Sequence, residues 1–86
     1  MGRVPLPLSG GLQPLLDPLS IAEMRVLRYL PTHLSMSEIA GELYVSLNTV
    51  RTHMRHLYTK LGTHRRAETV ERARALGLLA PLLRRD

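Results

Sequence analysis

The stretch Ser46–Gly62, SLNTVRTHMRHLYTKLG, decides the fold, because its apolar side chains, its cations and its final glycine follow a single helical repeat. At about 100° per residue, the apolar side chains fall within an arc of roughly 100°, as expected for an amphipathic helix. This buried face comprises Leu47, Val50, Met54, Leu57, Tyr58 and Leu61. The opposite face carries hydroxyl, amide and basic groups and no acidic side chain.

A metal site is one interpretation of this helix. His53 and His56 stand three residues apart, a spacing that brings two imidazoles close together. The chain has no cysteine, no acid lies nearby in the sequence, and His33 and His64 belong to other segments. Nothing in the sequence therefore completes a ligand set, and we expect neither a metal ion nor any other cofactor.

Positive charge is concentrated around the same helix. The chain has 12 Lys and Arg against 7 Asp and Glu, a formal net charge of +5. A helix face that is merely solvated usually mixes charges of both signs. An unbalanced face instead favours a polyanion such as DNA. From Leu43 to Ala67 the sequence has no acid, and its cations are Arg51, Arg55, Lys60, Arg65 and Arg66.

Capping residues predict four helices. Ser20 and Ser35 are each followed three residues later by glutamate, the form of a capping box, whereas Ser46 is a simple N-cap. Pro31, Gly62 and Gly77 mark helix ends. The predicted helices run from about Ile21 to Leu30, Met36 to Leu43, Leu47 to Leu61 and Arg66 to Leu76. The expected buried residues of the first two helices are Met24, Leu27 and Leu30 with Ile21 or Tyr29, then Ile39, Ala40 and Leu43. On the fourth helix, Ala67, Val70, Ala73 and Arg74 form a stripe of mostly small residues that suits the close approach of another helix.

The predicted fold is all-α, a four-helix bundle that contains a helix-turn-helix and carries a flexible N-terminal arm. Residues 1–18 hold four of the six prolines and three of the six glycines, which indicates an arm or linker. Residues 19–80 form the expected domain, and 81–86 form a tail. No signal peptide is visible, and no run reaches the roughly 18 apolar residues of a membrane span. We therefore expect a soluble, cytoplasmic protein associated with the nucleoid and not with a membrane.

The second and third predicted helices fit a helix-turn-helix unit. Ala40 is a small residue that suits the crossing of two helices, and Val50, ten residues later, suits the anchoring of the second helix. The exposed side of the third helix offers Arg, Asn and Thr side chains. Arg can pair with guanine and Asn with adenine, while Thr can contact a phosphate or a thymine methyl group.

The segments LSIAEMRVLRYL, LSMSEIAGELYVSLNTVRTHMRHLYTKLG and RRAETVERARALGLL resemble the LuxR-type domain, also called the GerE or NarL/FixJ type. This is the DNA-binding domain of bacterial transcriptional regulators, including response regulators. The resemblance covers about Leu19 to Leu79. It implies that the third helix enters the major groove of double-stranded DNA and that the fourth makes a homodimer, in solution or only on DNA. RNA polymerase is a further candidate partner.

The resemblance also implies roles for single residues. The positions that read bases fall on Arg51, Thr52 and Arg55. The positions that contact the DNA backbone or support the helix are Asn48, Thr49, His56, Lys60 and Arg65. The candidate dimer face comprises Ala67, Val70, Ala73 and Arg74, and His53 is expected to be a packing residue.

Three positions depart from the family pattern. His33 and Tyr44 stand where glycine is common, and Ala22 replaces a common arginine. Since residues other than glycine rarely adopt a positive φ, both loops are expected to differ locally. The segment before Arg66 lacks the usual serine, which weakens the start of the fourth helix.

Sequence-specific binding of double-stranded DNA by a bacterial transcriptional regulator is the leading hypothesis. One alternative is a promoter-binding domain like that of a sigma factor. Another is a helical protein-interaction or dimerisation module that uses the fourth helix and the Leu76–Leu83 tail. An enzyme is not expected, because the sequence has no paired carboxylates and no nucleophile with a base. No sensing domain fits within residues 1–18, so we expect a fragment of a larger regulator or a chain that acts without a sensor of its own.

Overall fold

The computed structural model describes residues 18–80, which form four helices and no strand. The all-α class and the four predicted helices are confirmed, with every boundary within one residue of its prediction. The arm and the tail lie outside the described residues, apart from Pro18. No helix in the described part is long and apolar enough to span a membrane. The helices are α1 (Ile21–Tyr29), α2 (Met36–Leu43), α3 (Leu47–Leu61) and α4 (Arg66–Ala75).

All three predicted serine caps are present. At α1, Ser20 Oγ accepts from the Glu23 N–H at 3.1 Å, and Glu23 Oε1 accepts from the Ser20 N–H at 3.0 Å. The same reciprocal pair opens α2. At α3, Ser46 Oγ accepts from the Thr49 N–H at 3.0 Å. Each bond satisfies an amide that the first helical turn leaves without a partner, so the starts of three helices are set by local sequence.

The start of α4 is weaker, as predicted. Arg65 occupies the N-cap position and forms no side-chain cap. Glu68 compensates in part, because its Oε1 accepts from the His64 N–H at 2.9 Å.

The turn between α2 and α3 depends on a strained residue. Tyr44 has φ 58° and ψ 41°, a left-handed conformation that costs an L-residue roughly 1–2 kcal/mol. The N–H groups of Tyr44 and Val45 bond the Gly41 and Ala40 carbonyls, which closes the end of α2. Within residues 18–80, Tyr44 is the one non-glycine residue with positive φ. Tyr44 thus adopts the left-handed conformation that glycine would take at this position, whereas His33 adopts no positive φ; the expected local difference of the two loops stays a prediction.

Helix α3 lies at the centre of the fold and packs against the other three helices. Its predicted inner face is confirmed for Val50, Met54, Leu57 and Leu61, all of which are buried, while Leu47 and Tyr58 are half-buried at its edges. Aliphatic side chains from the other helices complete the core: Val26, Leu27, Leu30, Ile39, Ala40, Val70 and Ala73.

One residue that was expected on the inward face of α1 points to solvent instead. Ile21 is 76% exposed, whereas Val26 is fully buried. Glu23 also points inward and is only 4% exposed. The carboxylate occupies the inner position at the start of the helix, so Ile21, two residues earlier, is directed towards solvent.

The candidate dimer face on α4 needs a correction. Val70 and Ala73 pack inside this protomer and are 6% and 0% exposed, so their side chains cannot form an outer surface. Ala67 is exposed and Arg74 is half-buried. The spacing of these residues predicted one continuous face on α4, and α3 of the same chain covers most of that face. Leu78 and Leu79 pack partly on the core beyond Gly77, which has a φ of 78°.

Candidate nucleic-acid interface

The outer face of α3 presents two free guanidinium groups. Arg51 and Arg55 stand one helical turn apart and are exposed. Neither forms an ion pair or a side-chain hydrogen bond to any residue within 18–80. Thr52 lies between them, half-buried, and its hydroxyl donates to the Asn48 carbonyl at 3.1 Å. The oxygen lone pairs of this hydroxyl accept no hydrogen bond within the described residues.

Apolar side chains support the two arginines from below. Arg51 and Arg55 line a shallow depression together with Met36 at the start of α2 and with Met54 and Tyr58 on α3. Long basic side chains commonly lay their stems on such a surface and keep the charged end in solvent. The two helices of the helix-turn-helix therefore together hold the arginines at the outer face.

The first turn of α3 carries the next predicted contacts. Asn48 is exposed. Thr49 is half-buried, and its hydroxyl lies 2.9 Å from Ser46 Oγ, so this side chain is already partly engaged. The amides of this turn give the helix start a partial positive charge, which favours an anion such as phosphate.

Lys60 lies away from this open face, which corrects the expectation of an ammonium free to meet phosphate. Its Nζ donates to Glu23 Oε1 at 2.8 Å and to the Pro18 carbonyl at 3.0 Å. The side chain is 21% exposed. Contact between Lys60 and DNA stays a prediction, but its observed role is to hold α1 against α3.

Glu23 is the acceptor at the centre of this junction. Burial raises the pKa of its carboxyl group, but the hydrogen bonds from the Lys60 ammonium and the Ser20 N–H outweigh burial, so the pKa lies below its ordinary value of 4.5. The carboxylate is therefore charged near neutral pH.

Glu23 also approaches the two histidines of α3, which sequence reasoning missed. His56 Nδ1 lies 3.3 Å from Glu23 Oε2. One ligand atom from each of Glu23, His53 and His56 lies within 4.8 Å of the others. The expectation that no acid completes this pair was wrong, since the acid comes from another helix. A capping glutamate and a distant pair of histidines gave no local signal of their proximity.

The remaining basic residues divide into two groups. Arg66 is half-buried and bonded within the fold: its Nε donates to the Leu30 carbonyl at 3.0 Å, and its Nη2 donates to the Thr32 carbonyl at 2.8 Å. Arg65 is exposed just before α4. Of the five cations between Leu43 and Ala67, Lys60 and Arg66 thus stabilise the fold. Arg51, Arg55 and Arg65 remain available to a partner.

This geometry defines a helix-turn-helix domain, with α2 supporting α3 and with the cations on the outer face of α3. A family model described as bacterial regulatory proteins, luxR family, matches residues 17–73. The chain therefore belongs to the luxR family of bacterial regulatory proteins. Membership makes it a helix-turn-helix domain of the DNA-binding, transcription-regulating type, and the predicted resemblance is confirmed.

Individual relatives agree with this assignment. The chain is 44% identical over 60 residues to the HTH-type transcriptional regulator MalT of Serratia proteamaculans (strain 568). It is 42% identical over 60 residues to MalT of Yersinia enterocolitica serotype O:8 / biotype 1B (strain NCTC 13174 / 8081). Each match covers 70% of this chain but only 7% of the relative.

A solved structure shares the fold. It is the crystal structure of the response regulator ChrA in a heme-sensing two-component system, with a TM-score of 0.70 and 37% identity. The match covers 72% of this chain and 31% of that chain.

Proposed function

We propose that this domain binds double-stranded DNA at specific sequences, with α3 in the major groove. Arg51, Thr52 and Arg55 face the base edges. Asn48, Thr49 and Arg65 lie towards the DNA backbone. An α-helix fits the major groove, where each base pair presents a distinct pattern of donors and acceptors. A domain that binds a bacterial chromosome acts in the cytoplasm.

The observation that carries the proposal is the pair of exposed, unpaired arginines on α3. A guanidinium group that stabilises the fold donates hydrogen bonds to carbonyl or carboxylate oxygens, as Arg66 does. Arg51 and Arg55 make no such bond within the described residues, although they stand on the best-packed helix. Their position on a rigid element suits bidentate pairing with guanine O6 and N7.

A binding titration with fluorescent duplex DNA tests the proposal. The logarithm of the association constant should fall linearly with the logarithm of salt concentration, by roughly 0.9 for each phosphate contacted. A site selected from random duplexes should bind at least about a thousandfold more tightly than unselected DNA. An affinity that does not change with salt would sink the proposal.

Single substitutions separate base reading from general charge. Arg51→Ala or Arg55→Ala should weaken binding to the selected site by about 1–3 kcal/mol and relax the preference at one base pair. Arg28→Ala is the matched control, because it removes one exposed cation from α1 and not from α3. Equal losses in all three variants would indicate charge alone.

Dimerisation through α4 is the finer part of the proposal. With Val70 and Ala73 covered, the outer edge of α4 available to a second copy is Ala67, Glu71 and Arg74, which share one helical face. A two-fold axis perpendicular to this edge, crossing between Glu71 and Arg74, would place Glu71 of one protomer near Arg74 of its partner. Sedimentation of the chain with a palindromic site and with a half-site tests this: dimerisation predicts two chains on the palindrome. Contact with RNA polymerase stays a prediction.

A further inference from the structure

We propose that Glu23, His53 and His56 form a binding site for a divalent transition-metal ion of the zinc type, at the junction of α1 and α3. This site is separate from the arginine face and does not rest on DNA binding. It would tie the start of α1 to the middle of α3.

The donor set has the composition of a metal site. Two imidazoles and one carboxylate are sufficient protein ligands for zinc when water fills the fourth position. His53 and His56, at positions i and i+3, project from the same side of α3, and Glu23 meets them from α1. The three ligand atoms lie within 4.8 Å of one another. Tetrahedral bonds of about 2.0–2.2 Å require ligand separations near 3.4 Å, so small side-chain rotations are enough.

His53 supplies an independent observation. Its Nδ1 atom is buried and has no hydrogen-bond partner within the described residues. A buried polar nitrogen normally has a partner, because an unsatisfied one costs about 1–3 kcal/mol. One nitrogen of the same imidazole lies within 4.8 Å of the ligand atoms of Glu23 and His56, so a metal ion among the three groups would bind an imidazole whose hydrogen bonding is incomplete.

Lys60 also contacts Glu23, but on the other oxygen. Its ammonium bonds Oε1 at 2.8 Å, together with the Ser20 N–H, while Oε2 faces His56. Carboxylates that bind metals are commonly held by hydrogen bonds of this kind, which fix their orientation. Oε2 therefore remains the oxygen that would bind the ion.

The ligand types select among metals. Imidazole nitrogen suits zinc, copper and nickel, whereas magnesium prefers an all-oxygen shell. We therefore expect zinc to bind the 86-residue chain with one-to-one stoichiometry, and magnesium not to compete.

Calorimetric titration of zinc chloride into the 86-residue chain tests the site. His56→Asn should weaken zinc binding by at least about tenfold, since loss of even an outer hydrogen-bond partner typically costs 10–100-fold. His56 is 51% exposed, so this variant should fold. His64→Asn and His33→Asn are the matched controls, because both histidines are exposed and lie outside the cluster. Both control variants should keep the wild-type affinity.

Three results would overturn the proposal. One is the absence of saturable zinc binding to the folded wild-type chain. The second is an equal loss of affinity in His56→Asn and His64→Asn, the behaviour of scattered surface histidines. The third concerns His53. His53→Asn, checked for folding by circular dichroism, should lose zinc binding as His56→Asn does; if it folds and retains the affinity, the three-ligand site is wrong.

Discussion

Lys60→Met is the change that most clearly separates a structural role for Lys60 from a DNA-contacting role. The variant keeps the apolar stem and removes the ammonium that lies 2.8 Å from Glu23 Oε1. The Glu23 carboxylate would then stay buried without its ammonium partner. The structure predicts a loss of folding stability, whereas a phosphate contact alone predicts a loss of DNA affinity only.

The size of the loss follows from the burial of the pair. At 2.8 Å two unit charges attract by about 6 kcal/mol at an effective dielectric constant of 20, and desolvation offsets much of this. Because Glu23 retains the Ser20 N–H and the neighbouring His56, the net loss should be close to that of one charge-assisted hydrogen bond, about 2 kcal/mol. For a domain of this size, this corresponds to a fall in Tm of roughly 8–16 °C.

Urea unfolding followed by circular dichroism measures this loss. Arg28→Met is the matched control: it removes an exposed cation from α1 and should change the free energy of unfolding by less than about 0.5 kcal/mol. The double variant Glu23→Gln/Lys60→Met should be less destabilised than the sum of its single variants, because the two groups interact directly. A Lys60→Met chain that is as stable as wild type, yet binds all DNA sequences more weakly, would refute the structural role.

Three further perturbations have defined outcomes. The pKa values of Glu23, Glu38 and Glu68 are lowered in the folded chain. These carboxylates therefore stabilise the fold fully above about pH 4.5, and this stabilisation is lost as the pH falls through their pKa values in the folded state. Urea midpoints that stay constant from pH 6 to pH 3 would contradict this. Leu57→Ala empties the centre of the core and should cost about 2–5 kcal/mol of unfolding free energy, and a loss below about 1 kcal/mol in urea would argue against the packing described. Tyr44→Gly relieves the left-handed strain at a 94% exposed side chain and should raise stability by up to about 1 kcal/mol; a lower Tm would show that Tyr44 makes a favourable contact.

Local signals predicted the helices well. Each serine cap acts within four residues, and Gly62, with a φ of 69°, ends α3 as its position indicated. The inner face of α3 followed from its period alone, because a central helix must bury its apolar arc. These features need no knowledge of which helix lies beside which.

The candidate site was less predictable, because its key contacts join distant parts of the chain. Glu23 and Lys60 are 37 residues apart in the sequence, and no local sequence pattern near either residue predicts their ion pair. Arg66 reaches the end of α1 in the same way, across 36 residues. Charge counting therefore overestimated the number of cations open to a partner, and it missed the acid beside His53 and His56. The packing of the helices determines which basic side chains remain unpaired, so these side chains can be identified only from the tertiary structure.

The most direct test of the central claim, that α3 reads bases in the major groove, uses 7-deazaguanine. This base lacks the N7 acceptor that guanine presents in the major groove. Each guanine of the selected site is replaced in turn, and binding of the wild type, Arg51→Ala and Arg55→Ala is measured. The wild type should lose about 1–3 kcal/mol at one or more guanines, and one alanine variant should be insensitive at each such guanine. If no guanine N7 affects the wild type, or if both variants respond as the wild type does, base reading by these arginines is contradicted.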